Sequence, residues 1–194
     1  MEKIKQQAEI EAFLRRECGQ QGQAVFAKQT EILGALIGTA QNKSPRQQKT
    51  LVQRVLPCIA LYKALMESGF SQKEAVARVQ RYMQENVAAK QHASAVKMEL
   101  VPGFYAIYSR AFLQVMRTSD LWQSTQTQGR DFFDVTIRTC LWHTACTENG
   151  CAELCRLFCD VDNVTYGGLN KIGFSRTRTL GYGGDCCDFH FYKK

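Results

Sequence analysis

The apolar residues of this 194-residue chain recur with a helical period up to about Asp120 and with a strand period after it. Spacings of three and four residues collect side chains on one face of a helix, whereas strict alternation collects them on one face of a strand. A chain that changes period in this way is restricted to the α+β class: a helical N-terminal portion followed by a small antiparallel sheet with a crossing helix.

The helical part divides at recognisable signals. Ile4, Ala8, Ala12 and Phe13 predict a helix over Glu2–Cys18. A second, over Ala24–Ala40, gathers Ile32, Leu33, Leu36 and Ile37. Gly34 and Gly38 lie within it and predict a close approach of another helix. Ser44-Pro45-Arg46-Gln47 and Ser71-Gln72-Lys73-Glu74 both read as capping boxes. The first opens a helix that should run to Glu67 with a kink at Pro57. The second opens a helix carrying Val76, Val79, Met83 and Val87, and the sequence leaves open whether it reaches Met98. Pro102 introduces an aromatic-rich helix over Gly103–Thr118.

Beyond Asp120, Phe133, Val135 and Ile137 alternate with Asp134, Thr136 and Arg138, which predicts a strand over Asp131–Cys140. Glu148 to about Val164 reads as a helix again. Ile172–Leu180 and Cys187–Tyr192 read as strands joined through the glycine-rich Gly181–Asp185 turn, an antiparallel hairpin. One domain is expected, with residues 1–120 as helical scaffold and 121–194 as the cysteine-rich portion that carries the site.

The net charge of +7 is spread over helical faces among Glu and Gln. A solvated basic surface explains it first, and attraction of small anions second. No basic patch is interleaved with aromatics, so nucleic acid is not an expected partner. The N-terminus has no apolar signal core, and the most apolar window, Val55–Met66, is short and holds Lys63. No membrane association is expected, the expected location is cytoplasmic, and a homo-oligomer is allowed. In that compartment thiols stay reduced, so nine cysteines read as thiols, metal ligands or nucleophiles before disulfides.

Six of those cysteines lie between Cys146 and Cys187, with Cys140 just upstream. On a continuous helix Cys151, Cys155 and Cys159 would share a face over about 12 Å, too far for one tetrahedral ion to collect all three. Buried packing thiols are the first reading, and no metal or cofactor is assigned. Cys187 shares a strand face with Phe189 and Phe191, and Cys186 shares the other with Asp188 and His190. Arg176 and Arg178 share a strand face, as an exposed basic stripe or as a carboxylate clamp. Asp160 and Asp162 fall at the end of the predicted cysteine helix, where acidic side chains oppose the dipole, a hint of acid–base or arginine-orienting work. His143, at a predicted strand end, weighs more as packing than as catalysis. Serine-hydrolase, phosphate-loop, dinucleotide and His-Glu-x-x-His signatures are absent.

Phe133-Asp-Val-Thr136 leading to Cys140-Leu-Trp, Glu153-Leu-Cys155-x-x-Phe158-Cys159-x-x-Asp162, Phe174-x-Arg176-Thr177-x-Thr179-Leu180 and Gly184-Asp185-x-Cys187-Asp188-Phe189 together resemble the L-2-amino-thiazoline-4-carboxylic acid hydrolase family. The resemblance covers roughly residues 132–191. It implies a hydrolase that opens a cyclic amidine, 2-amino-thiazoline-4-carboxylate, to a carbamoyl-cysteine. The residue chemistry then suggests roles. Cys159, with Cys187 close by, lines the site, and Asp162 or Asp188 handles protons. Arg176 holds the substrate carboxylate, with Thr177, Cys140 and His143 completing the substrate side. Thiolate attack and attack by an activated water both remain open. The competing reading is a non-catalytic small-molecule-binding, metal-binding or redox-sensing module.

Overall fold

The computed structural model describes residues 4–40 and 42–194, which form two compact units. Glu2 and Lys3, part of the first predicted helix, lie outside the described residues.

The first unit takes the residues up to Met83 together with Ala145–Leu154. It contains α1 (Gln6–Cys18), α2 (Gly22–Thr39), α3 (Pro45–Thr50), α4 (Leu56–Glu67) and α5 (Gln72–Met83). Both capping boxes are formed: Ser44 Oγ accepts from Gln47 N at 3.1 Å, and Ser71 Oγ from Glu74 N at 3.3 Å. The expected distortion at Pro57 is present as a π-helical turn, Leu51–Val55, between α3 and α4. Proline has no N–H to give the carbonyl four residues back, Gln53, and that oxygen accepts from Gln6 Nε2 at 3.2 Å instead. α4 is buried on nearly every side, and Ile10, Phe13, Leu14, Ile59, Leu61, Leu65 and Tyr82 fill the core. Gly34 and Gly38 correct the sequence reading: a Cβ at either would meet nothing within 4 Å.

The second unit holds residues 84–144 and 155–194. A π-helical turn, Gln84–Ala88, opens it, and α6 (Ala89–Met98) carries the helical stretch through to Met98. α7 (Phe104–Thr118) is followed by β1 (Trp122–Gln128) and β2 (Phe132–Cys140). The later elements are α8 (Leu141–Glu148), α9 (Cys155–Tyr166), β3 (Ile172–Ser175) and β4 (Cys187–Lys193). The four strands form one antiparallel sheet in the order β1-β2-β4-β3. Its inner face presents Phe133, Val135 and Ile137 from β2 and Cys187, Phe189 and Phe191 from β4, the alternation expected from the sequence. Phe104, Leu113 and Met116 of α7 and Ala95 of α6 close this core. Phe133 and Phe191 stack at 4.8 Å, with Phe112, Tyr166 and Phe174 around them. Buried Glu99 ties α6 to the approach to β3, accepting from Asn170 N at 2.9 Å and Lys171 N at 2.5 Å.

Two elements differ from the expectation in ways that move site residues. The cysteine helix is not continuous. α8 ends in a Schellman motif, with Gly150 at φ 67°, Cys151 N donating to Cys146 O at 2.9 Å and Gly150 N to Thr147 O at 3.0 Å. Cys146 and Cys151 therefore lie in the first unit and only Cys155 and Cys159 share α9. The second difference is that β3 stops at Ser175 rather than Leu180. The Asp188 carboxylate captures the N–H groups of Thr177 and Arg178, at 2.9 and 2.7 Å, which draws the chain off the ladder. Residues 176–186 then form a long connection around a short turn, Leu180–Tyr182. Among the described residues no helix is long and apolar enough to cross a membrane.

Candidate active site

α9 begins at Cys155, so Cys159 is one turn in and on the same face. β4 begins at Cys187, whose side chain points to the same inner side. These elements converge on the Cys159 sulfur. The Cys155 thiol, the Cys187 thiol, the Thr179 hydroxyl and the Gly181 N–H all face it, and the Gly181 N–H is shared with Thr179 Oγ1, which accepts it at 3.1 Å. Cys140, at the end of β2, is the fourth thiol of the cluster; its sulfur accepts from the backbone N–H groups of His143 and Trp142 at the start of α8.

The four thiols are electrostatically unequal. Hydrogen bonds from Cys155 and then Cys187 pull the Cys159 thiol well below its ordinary value, against the opposing effect of burial, and Thr179 and Gly181 add to the pull. Cys155 and Cys187 are pushed up, first because each donates to Cys159 and then by burial. Burial pushes Cys140 up to about 11, although the two N–H groups work the other way. Three side-chain donors directed at one sulfur favour a thiolate at Cys159 over its neighbours.

Asp162 lies three residues after Cys159 on α9. Burial pushes its carboxyl up to about 7, opposed by Arg176 and reinforced by the charges of Cys159 and Asp160. Its side chain still keeps 31% of its surface exposed, so protons can reach it. Arg176 is 7% exposed and donates from Nη2 to the Cys159 carbonyl at 2.8 Å and from Nη1 to Asp162 Oδ2 at 3.4 Å. Its guanidinium lies 5.9 Å from the rings of both Phe174 and Phe189. Tyr182 reaches over α9 to Asp160, donating at 2.9 Å, and so fastens the Leu180–Tyr182 turn above Cys159. The hydroxyls of Tyr108 and Tyr166 are hydrogen-bonded to each other within electrostatic range of Asp162.

Of the residues singled out from sequence, Cys159, Cys187, Cys140, Asp162 and Arg176 come together. Asp160 and Asp162 do not end the helix, which continues to Tyr166, and Cys159 lies in its N-terminal half; the dipole conflict read from the sequence does not arise. His143 lies in the first turn of α8, not on a strand, and its N–H is at the Cys140 sulfur. Thr177 belongs to the connection after β3, and Asp188 is the second residue of β4. Thr177 Oγ1 donates to Asp188 Oδ2 at 2.5 Å, and Arg178 Nε lies 3.4 Å from the same oxygen. Partial burial would raise the Asp188 carboxyl, but Thr177 and Arg178 hold it at about 2. Cys155, Thr179 and Gly181 were not given site roles from sequence. A main-chain donor leaves no residue signature, although the glycine-rich run was a signal of close approach.

The family described as L-2-amino-thiazoline-4-carboxylic acid hydrolase matches residues 46–191. No curated protein matches the chain. Solved structures similar to it include an H-NOX protein from S. oneidensis in the Fe(II)NO ligation state, at 12% identity and a TM-score of 0.30, covering 96% of each chain. Another is the Fe(II) unliganded H-NOX protein from K. algicida, at 9% identity and a TM-score of 0.29, covering 97% of this chain and 94% of that one.

Proposed function

Because the chain belongs to the L-2-amino-thiazoline-4-carboxylic acid hydrolase family, we propose that it opens a 2-amino-thiazoline-4-carboxylate-like ring, with Cys159 as nucleophile and Asp162 as proton carrier. The observation that carries this reading is the convergence of Cys155, Cys187 and the Thr179–Gly181 turn on the Cys159 sulfur, one helical turn from Asp162 and with Arg176 bonded to both the Cys159 carbonyl and the Asp162 carboxyl. A thiolate beside a neutral acid is the pair that such a ring opening requires.

The substrate carbon C2 is bonded to sulfur and two nitrogens. The Cys159 thiolate forms a bond to C2, the bond from C2 to the ring sulfur breaks, and that sulfur takes the proton of Asp162. The enzyme then carries an isothiourea on Cys159. Water adds to C2 and one of its protons goes to the imine nitrogen. The C2–Cys159 bond breaks as the carbonyl forms, and the remaining proton returns to Asp162. One water is consumed and the product is a carbamoyl-cysteine. In this reading a protonated Asp162 leaves Arg176 with one more distant carboxylate, Asp160 at 4.0 Å, and so freer to receive the substrate carboxylate, and Cys140 and His143 line the approach. Asp188 and Thr177 position the loop that carries Thr179 and Gly181.

The test is thiol release from 2-amino-thiazoline-4-carboxylate by the purified protein. Cys159→Ser should reduce kcat by a factor of about a hundred or more. Intact-mass spectrometry of the parent should capture the substrate on Cys159. Full activity in Cys159→Ser would transfer the attack to water, and no thiol release by the parent would reject the substrate.

A further inference from the structure

The sheet has two edges, and they are built differently. β3 is four residues long, follows Lys171, and gives way at Arg176 to the connection held by Asp188. It is a short edge flanked by charged residues, of the kind that discourages strand addition. β1 is the opposite. Its seven residues, Trp122-Gln-Ser-Thr-Gln-Thr-Gln128, include no charge, proline or glycine. The register slips only near its start, between Gln123 and Ser124, and Ser124–Gln128 pair regularly with β2. On its other side β1 has no strand neighbour among the described residues. The outward N–H and C=O groups of an edge strand are a template for another strand.

The space beside that edge is open. A groove of about 530 Å³ is lined by Met116 and Arg117 of α7 and by Trp122, Ser124 and Gln126 of β1. Inside it the Ser124 hydroxyl is buried without a hydrogen-bond partner, a group that an incoming polar chain would satisfy. Arg117 is turned along the groove and donates to Gln126 Oε1 at 2.9 Å.

We propose that β1 is a homodimer interface, in which two copies pair their β1 strands antiparallel about a two-fold axis at Thr125 and join two four-stranded sheets into one of eight. The favoured occupant is a second copy because β1 is complementary to itself. Placing the axis at Thr125 sets Gln123 opposite the partner's Thr127, and Trp122 opposite the partner's Gln128. Every facing pair is uncharged, so the two-fold creates no like-charge contact within the ladder. Seven residues give a ladder of about 24 Å. The net charge of +7 opposes association at long range, which salt near 0.15 M screens beyond about 8 Å.

Sedimentation equilibrium of the full chain in 0.15 M salt, up to about 300 µM, provides the test. The parent should approach twice 22.0 kDa. Gln126→Pro removes an N–H that β1 turns away from β2 and toward the partner, and Thr125→Lys sets two ammonium groups face to face at the axis; each should weaken the dimer about tenfold or more. Thr125 is exposed, so the lysine variant keeps the fold even if the proline variant does not. Leu100, 80% exposed beside Val101 and Ile107, is the rival surface. A parent that stays monomeric overturns the proposal. So does a dimer that Thr125→Lys leaves intact, or one that Leu100→Asp alone dissociates.

Discussion

A Cβ placed on Gly181 would stand 2.8 Å from the Cys159 sulfur and 2.9 Å from the Arg156 nitrogen. The chain passes over α9 at a distance that only hydrogen at this position permits, and the same closeness brings the Gly181 N–H, which Thr179 Oγ1 accepts at 3.1 Å, to the sulfur as a shared donor. Gly181→Ala should therefore lift the turn and withdraw that donor. Loss of one hydrogen bond to a charged group is worth about 1.5–3 kcal/mol, so the thiol pKa of Cys159 should rise by about one to two units. The pH dependence of iodoacetamide alkylation at Cys159, followed by peptide mapping, measures it; an unchanged profile would contradict the role given to Gly181.

Asp162 makes a signed prediction. Its folded carboxyl titrates at about 7, above the ordinary 3.8, so between those values the folded protein holds a proton that the unfolded chain releases. Stability from this group should fall as pH rises through that window. Urea unfolding at pH 5 and pH 8 should show the decline, and Asp162→Asn should flatten it. Ring opening should also weaken above about pH 7 as the acid form disappears, and Asp162→Asn should lose roughly a hundredfold or more in kcat.

Asp188 should behave differently. Its carboxylate is held at about 2 by Thr177 and Arg178, so its contribution is complete at neutral pH and is lost as pH falls through about 2. Asp188→Ala leaves two backbone N–H groups without their acceptor and should cost about 2–3 kcal/mol in urea unfolding. Asp188→Asn, where it folds, should retain activity within about tenfold, against the larger loss in Asp162→Asn.

Glu99 offers a test away from the site. It is 4% exposed and receives the N–H groups of Asn170 and Lys171. Glu99→Ala should lower stability by about 2–3 kcal/mol, with loss of amide protection at 170 and 171 in hydrogen exchange before the centre of β4 opens.

The parts of the fold legible in the sequence are those where a side-chain pattern and the core agree. Phe133, Val135 and Ile137 could face only one way, and β2 lies where they place it. β1 was not legible because Trp122–Gln128 is polar on both faces, so its identity comes from pairing with β2. The cysteine row misled because one positive φ, at Gly150, separates residues whose spacing fits a helix. β3 read long because a single carboxylate, Asp188, outcompetes the ladder for two N–H groups. At the site, Cys159, Asp162, Arg176 and Cys187 were visible as reactive side chains. The N–H of Gly181 was not, and neither was the true place of Asp162 in mid-helix.

The path of the chain between its two units bears on the thiol cluster. Cys140 and Cys155 belong to the cluster, and the stretch between them includes Ala145–Leu154, which folds with the other unit. There, Tyr62 donates to Glu153 at 2.5 Å and Lys43 to Glu148 at 3.1 Å, while Cys146, Cys151 and Leu154 are buried. No single stop codon or start site can therefore separate the helical unit from the thiols. A fragment beginning at residue 84 would keep every sulfur of the cluster and carry through its middle a segment whose Cys146, Cys151 and Leu154 are buried in the intact chain. The chain thus runs from the cluster into the helical unit and back between Cys140 and Cys155, a line tied at both ends.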